Sequence, residues 1–248
     1  MPNRYVIANW KMNLPPEGIG PYLRALAGAG PGATIVVAPP YPYITEVAKT
    51  ASRGVAVSAQ NSADHEKGAY TGEISPRMVL ECGARYVILG HSERRTIYGE
   101  SDDLIARKLA LALATPLTPV LCIGEDLGAR DSGTAATVLS EQIRAAADGL
   151  SGGGEVIVAY EPIWAIGTGR NASGDMVAET VEQIRDAVSR FWPDGYGVDT
   201  PILYGGSVTP ENVADLMAHG RINGFLVGGA SLDSRKFLAI QAATQLRP

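Results

Sequence analysis

The chain has 248 residues, is 46% hydrophobic and 19% charged, and has a mean hydropathy of +0.03, which is folded globular composition and too apolar for disorder. A formal charge of −5, a pI near 5.3 and the lack of any basic run exclude a phosphate-tracking nucleic-acid surface. No membrane partner is expected either, because the most apolar stretch, KLALALATPL (108–117), is broken by Pro116 and far short of the roughly 20 residues a spanning helix needs.

Short apolar runs rich in β-branched residues recur along the chain: RYVIAN (4–9), TIVVAPP (34–40), VAVSAQ (55–60), ARYVILGH (84–91), TPVLCIGE (118–125), EVIVAYE (155–161), PILYGGS (201–207) and GFLVGGA (224–230). They are nearly continuous rather than alternating, as strands buried on both faces of a parallel sheet are. Helices are expected between them. SPRMVLECG carries Ser75 as N-cap, Pro76 at the first turn and Gly83 past the end. SDDLIARKLALALA starts from Ser101 with two aspartates in its first turn. DMVAETVEQIRDAVSRFW (175–192) places Val177, Val181, Ile184 and Val188 in one stripe, and TPENVADLMAHG is expected to run from Thr209-Pro210 to Gly220. Eight strand–helix units with no linker between them predict an α/β fold, a single-domain (β/α)8 barrel over residues 1–248. The cysteines, Cys82 and Cys122, lie in apolar surroundings outside any C-x-x-C, so buried thiols of a reduced cytoplasmic protein are expected. MPNRYVIANWK reaches Asn9 and Lys11 too soon to hold the apolar core of a secretory signal.

Barrels of this kind build their sites at the C-terminal ends of the strands. Those ends carry Asn9 and Lys11, His91 leading into Ser92-Glu93, Glu161, Gly205-Gly206-Ser207, and Gly228-Gly229. Any one of them alone is a turn residue or a solvated charge; their coincidence on one rim points to chemistry. No metal is expected, since the three histidines form no H-x-H or H-x-x-x-H. His65 and His219 are assigned no role. Gly167 to Ala172 fits G-x-G-x-x-A, but five residues separate it from the preceding strand end, so the match is read as accidental. Asn171-Ala172-Ser173 fits a glycosylation sequon that means nothing without a secretory signal. A carboxylate, a histidine, an asparagine, a lysine and anion-binding backbone suit proton abstraction beside the carbonyl of a small phosphorylated substrate.

The motifs NWKMN (9–13), GAYTGEIS (68–75), YVILGHSERR (86–95), CIGE (122–125), AYEPIWAIGTG (159–169), ILYGGSV (202–208) and VGGASL (227–232) cover the chain from end to end. In kind, order and spacing they resemble the triosephosphate isomerase family, whose fold is the TIM barrel. The resemblance implies an aldose–ketose isomerase acting on dihydroxyacetone phosphate and D-glyceraldehyde 3-phosphate in sugar breakdown and synthesis, with no cofactor. It implies Glu161 as base, neutral His91 as electrophile, and Asn9 and Lys11 on the substrate oxygens, with Ser92 and Glu93 behind them. Backbone N–H groups of Gly167, Ser207, Gly228 and Gly229 would hold the phosphate. Residues 162–172 would form a lid that closes over the site and excludes water.

The resemblance also implies a homodimer, in which loop 61–73 enters the neighbouring subunit with Thr71 near its site, and a buried, structural Cys122. Three departures stand out: Ala8 where the family usually has glycine, Arg170-Asn171 before Ala172, and Gly174 where it often has proline. Glycine there predicts a looser hinge and a less fixed helix start. Two other readings remain: a barrel aldolase using Lys11 as a Schiff base, and a barrel that has become a non-catalytic binding protein.

Overall fold

The computed structural model describes residues 3–30, 32–150, 154–165, 172–197 and 199–244. Eight parallel strands form a closed barrel in sequence order: β1 (Tyr5–Asn9), β2 (Thr34–Ala38), β3 (Val55–Ala59), β4 (Tyr86–Leu89), β5 (Thr118–Ile123), β6 (Ile157–Tyr160), β7 (Ile202–Tyr204) and β8 (Gly224–Val227). β8 pairs back onto β1 with Tyr5 opposite Gly224. Gly224 has φ +141°, and a Cβ there would lie 1.8 Å from the Tyr5 carbonyl oxygen, so the seam closes only with glycine.

The strands are shorter than their apolar runs, mostly at the C-terminal ends. The residues beyond each last rung turn out of the sheet into the rim, and these are the ones expected to do chemistry. Strand periodicity then decides which way they point. Tyr5 and Ile7 of β1, and Ile157 and Ala159 of β6, belong to the cluster that fills the barrel with Val36, Ile88, Val120, Leu203 and Leu226. Val6, Ala8, Val158 and Tyr160 pack outward into the larger core beneath the helices. Two residues on along the inner face come Asn9 and Glu161, so alternation alone aims both into the barrel mouth. On β7 and β8 the same step reaches Gly205 and Gly228, which leaves the mouth open.

The helices follow the expected pattern with two differences. Ser75, Ser101 and Ser173 each accept a hydrogen bond from the backbone N–H three residues on, as N-caps do. Helix Gly174–Phe191 buries Val177, Val181, Ile184 and Val188; each such side chain contributes about 1.5–3 kcal/mol relative to exposure. The helix expected from Thr209 instead runs Val213–His219. The Asn212 side chain accepts from the Thr209 N–H and donates to the Ser207 carbonyl, both at 2.9 Å, tying the preceding residues into a turn. Cys82 is exposed rather than buried, because it caps helix Pro76–Glu81 on its solvent side; Cys122 is buried in the barrel. No described helix is long and apolar enough to cross a membrane.

Candidate active site

Glu161 is nearly fully buried at the mouth of the barrel. Its backbone N–H donates to the Ile123 carbonyl at 2.7 Å, and its strand runs so close to β5 that a Cβ on Gly124 would lie 1.8 Å from the Glu161 carbonyl oxygen. The carboxylate is held at both oxygens. Oε2 accepts from the Ser92 N–H at 2.8 Å, and Oε1 lies 3.0 Å from His91 Nε2. Burial pushes the Glu161 carboxyl up, but His91, the Ser92 N–H and Lys11 outweigh it and hold it below the ordinary carboxylate range. Beneath it, burial first and Glu161 second push the Cys122 thiol far up, so Cys122 is a neutral wall of the site.

Gly90, at φ +69°, breaks out of β4, and His91 then caps the short helix Ser92–Thr96. The Glu93 N–H donates to His91 Nδ1 at 3.2 Å. Burial lowers the pKa of His91 and the adjacent Glu161 carboxylate raises it, with a net rise. The ring in this geometry is nonetheless neutral. An N–H aimed at Nδ1 requires a lone pair there, which places the single ring proton on Nε2, facing Glu161.

Asn9 is buried, and its Oδ1 accepts from the Lys11 N–H at 3.1 Å. Lys11 itself sits at φ +52°, in the left-handed region that a non-glycine residue occupies at a cost of about 1–2 kcal/mol. That turn swings its ammonium to 2.6 Å from Glu93 Oε1 and its stem alongside Gly228, where a Cβ would meet Lys11 Cε at 3.5 Å. Gln60, at the end of β3, donates to the carbonyls of Lys11 and Ala38, both at 2.8 Å, and so holds the strained turn.

The far side of the mouth is bare backbone. Gly205, Gly206, Ser207, Gly228 and Gly229 border a cavity of about 300 Å³ whose other wall is Asn9, Lys11, His91 and Glu161. A Cβ on Gly205 would lie 2.9 Å from Glu161 Cγ. The turn after β8 is a 3-10 helix, Gly229–Leu232. A larger cavity of about 590 Å³ opens at the opposite end of the barrel, between Arg4, Arg185 and Asn223. It lies at the N-terminal ends of the strands and shares no residue with the rim, so size is a poor guide here and the chemistry decides.

Gly167, Arg170 and Asn171 lie outside the described residues, as does most of 162–172. The described start of that segment is anchored. Trp164 Nε1 and the Tyr160 hydroxyl donate to the fully buried Glu125 Oε1 at 2.9 and 3.0 Å, and the Arg130 guanidinium stacks over the Trp164 ring at 5.6 Å. At its other end the helix start is not loose. The Gly174 N–H donates to Asp215 Oδ2 at 3.1 Å, and a Cβ there would lie 2.7 Å from His219 Cβ.

Sequence reasoning had passed over Gln60, Arg95, Glu125 and Asn212. Arg95 donates to the carbonyls of Gly90 and Cys122 at 2.8 and 3.0 Å, fixing the floor under His91. Gln60 carried a signal, a polar residue closing an apolar run like the other rim positions; the partners of the rest are fixed only by the fold. Among the described residues, no group of three or more His, Cys, Asp or Glu side chains is placed to hold a metal ion.

The sequence model of the family Triosephosphate isomerase matches residues 4–244. A triosephosphate isomerase of Halorhodospira halophila is 42% identical over 245 residues, spanning 98% of each chain. One from Alcanivorax borkumensis is 43% identical over 242 residues, 97% of this chain and 98% of that one. One from Rubrobacter xylanophilus is 41% identical over 245 residues, 96% of each.

Proposed function

Since the chain belongs to the triosephosphate isomerase family, a family of isomerases, we propose that it interconverts dihydroxyacetone phosphate and D-glyceraldehyde 3-phosphate by proton transfer through an enediolate. The observation that carries this reading is one cavity walled on one side by Glu161, His91, Asn9 and Lys11 and on the other by glycine backbone. Glu161 takes a proton from the carbon beside the carbonyl, and the C–H electron pair moves to make the carbon–carbon double bond as the carbonyl oxygen becomes an oxyanion. Returning the proton to the neighbouring carbon gives the isomer. His91 Nε2–H, the Asn9 amide and the Lys11 ammonium surround the oxygens where charge develops.

In the resting geometry Glu161 is a poor base, because His91 and the Ser92 N–H stabilise its anion. A substrate oxygen that takes over the His91 Nε2–H frees the carboxylate from one of these partners. Moving off the Ser92 N–H into a site emptied of water then raises its basicity. Ser207, Gly228 and Gly229 offer N–H groups to the phosphate, with Gly167 joining them when 162–172 closes. Ser92 and Glu93 act behind this layer, on Glu161 and Lys11.

The Lys11 ammonium is committed to Glu93, which speaks against a Schiff-base aldolase. A homodimer fits the surface beside the site. Met12, Ile97 and Tyr98 are exposed, and a cleft of about 160 Å³ runs from Met12 and Tyr98 to Lys11. Loop 61–73, which would fill that cleft with Thr71 of the partner subunit, is stiffened by its own contacts: the His65 ring stacks on Tyr70 at 3.9 Å, and Arg107 binds Asp64 at 3.0 Å. Two free thiols fit a cytoplasmic setting.

The test is conversion of glyceraldehyde 3-phosphate followed by coupled oxidation of NADH. Rapid turnover with no borohydride-trapped adduct on Lys11 is the expected result. A trapped adduct would favour the aldolase, and phosphate-ester binding without turnover would favour a binding protein.

A further inference from the structure

We propose that Asp215 is a positioning residue for this reaction, tying the chain that follows segment 162–172 to the loop that holds the phosphate. The inference rests on the isomerase reading above and on four residues that reading does not use: Ser173, Gly174, Asn212 and Asp215. The short helix Val213–His219 leaves the Ser207 loop, and Asn212 just ahead of it is bonded to both the Ser207 carbonyl and the Thr209 N–H. One turn later on the same stretch, Asp215 Oδ2 accepts the N–H of Gly174, the first residue of helix Gly174–Phe191. The other oxygen, Oδ1, lies 3.0 Å from His219 Nδ1, which fixes the carboxylate plane.

The approach is too close for any other residue at 174. A Cβ would lie 2.7 Å from His219 Cβ and 3.0 Å from the Asp215 carbonyl oxygen, and a proline would also have no N–H to give. Helix capping does not account for the contact, since the Ser173 hydroxyl already serves the Met176 N–H. The Gly174 N–H is one of the free donors at a helix start, and it is used here to join two elements. A displacement of the Ser207 loop by a bound dianion is thereby passed through Asn212 and Asp215 to the point where the chain re-enters the barrel wall.

The geometry sets the test. Asp215→Ala removes the acceptor, while Asp215→Asn keeps one oxygen for Gly174 and gives up the charge facing His219. Each is assayed on glyceraldehyde 3-phosphate and on unphosphorylated D-glyceraldehyde, which has no dianion to grip. One half-buried hydrogen bond corresponds to about a three- to tenfold effect. Asp215→Ala is expected to lower kcat/KM for the phosphorylated substrate by about that factor and to leave the unphosphorylated one unchanged, with Asp215→Asn close to wild type.

Equal losses on both substrates, no loss on either, or an asparagine variant no better than alanine would each overturn the role. Hydrogen exchange supplies a readout on the unaltered protein: a Gly174 amide exchanging as fast as an open chain removes the contact and the proposal with it. An inactive wild type is a different failure, which takes down the isomerase reading first.

Discussion

The two halves of the barrel mouth are made in opposite ways. Around β1, β4 and β6 the site is side chain: Asn9, Lys11, His91 and Glu161, each held by at least one hydrogen bond or ion pair from a neighbour. Around β7 and β8 it is backbone, with Gly205, Gly206, Gly228 and Gly229 leaving the peptide groups uncovered. The difference follows from the tasks. Moving a proton needs titratable groups locked in position and away from water, whereas holding a phosphate needs N–H donors that no Cβ obstructs. The first half therefore depends on the identity of side chains and the second on their absence.

Substitutions can break this division at either half. The largest effect is expected for Glu161→Gln, which keeps shape and hydrogen bonding but removes the base; kcat should fall at least about 10²–10⁴-fold. Steady-state kinetics beside an unchanged circular dichroism spectrum would show it. Lys11→Met removes the charge facing the oxygens and should lower kcat/KM by about 10²–10³-fold, the range for losing a donor to a developing oxyanion. Added sodium chloride should slow the wild type and leave this variant nearly indifferent.

The glycines separate the halves by stability. At Gly124 a new Cβ meets backbone, 1.8 Å from the Glu161 carbonyl oxygen, so Gly124→Ala should destabilise by about 3 kcal/mol in urea unfolding. At Gly229 a Cβ meets nothing within 4 Å. Gly229→Ala should unfold like wild type and raise only KM, since the intruder stands where the phosphate would sit.

The smallest effect is in acid. The folded pKa of Glu161 is held below its ordinary value of 4.5, so its ionised form contributes stability that is fully present above that value and lost as pH falls through the depressed one. The Tm difference between wild type and Glu161→Gln should move toward wild type as pH falls from about 7 to 5, because the variant loses the Glu161 carboxylate that raises the His91 pKa, and should move against wild type only below about pH 4.5.

How much of this was legible beforehand follows the same division. Strand runs and rim residues were readable because a parallel strand buried on both faces must be apolar throughout and must end where polar groups begin, as at Asn9 and Glu161. The glycine half was readable as a pattern, although only the folded chain shows that Gly124 and Gly205 are glycine because Glu161 lies against them. The contacts that sequence could not supply join residues far apart in the chain: Gln60 with Lys11, Arg95 with Cys122, Asp215 with Gly174. Gly174 shows the limit most clearly. Read alone it loosens a helix start; in the fold it permits an approach that fixes one. Cys82 erred for a simpler reason, since apolar neighbours in sequence do not say which side of a helix end faces solvent.

The most direct test of the central claim, that Glu161 carries a proton between adjacent carbons, is isomerisation of dihydroxyacetone phosphate in D₂O followed by NMR. The account predicts that wild type yields glyceraldehyde 3-phosphate with deuterium on the carbon that receives the proton, and that Glu161→Gln slows conversion and labelling together, by the factor that its kcat falls. Conversion with no deuterium incorporated, undiminished in the glutamine variant, would contradict it, because the hydrogen would then be moving without passing through a base.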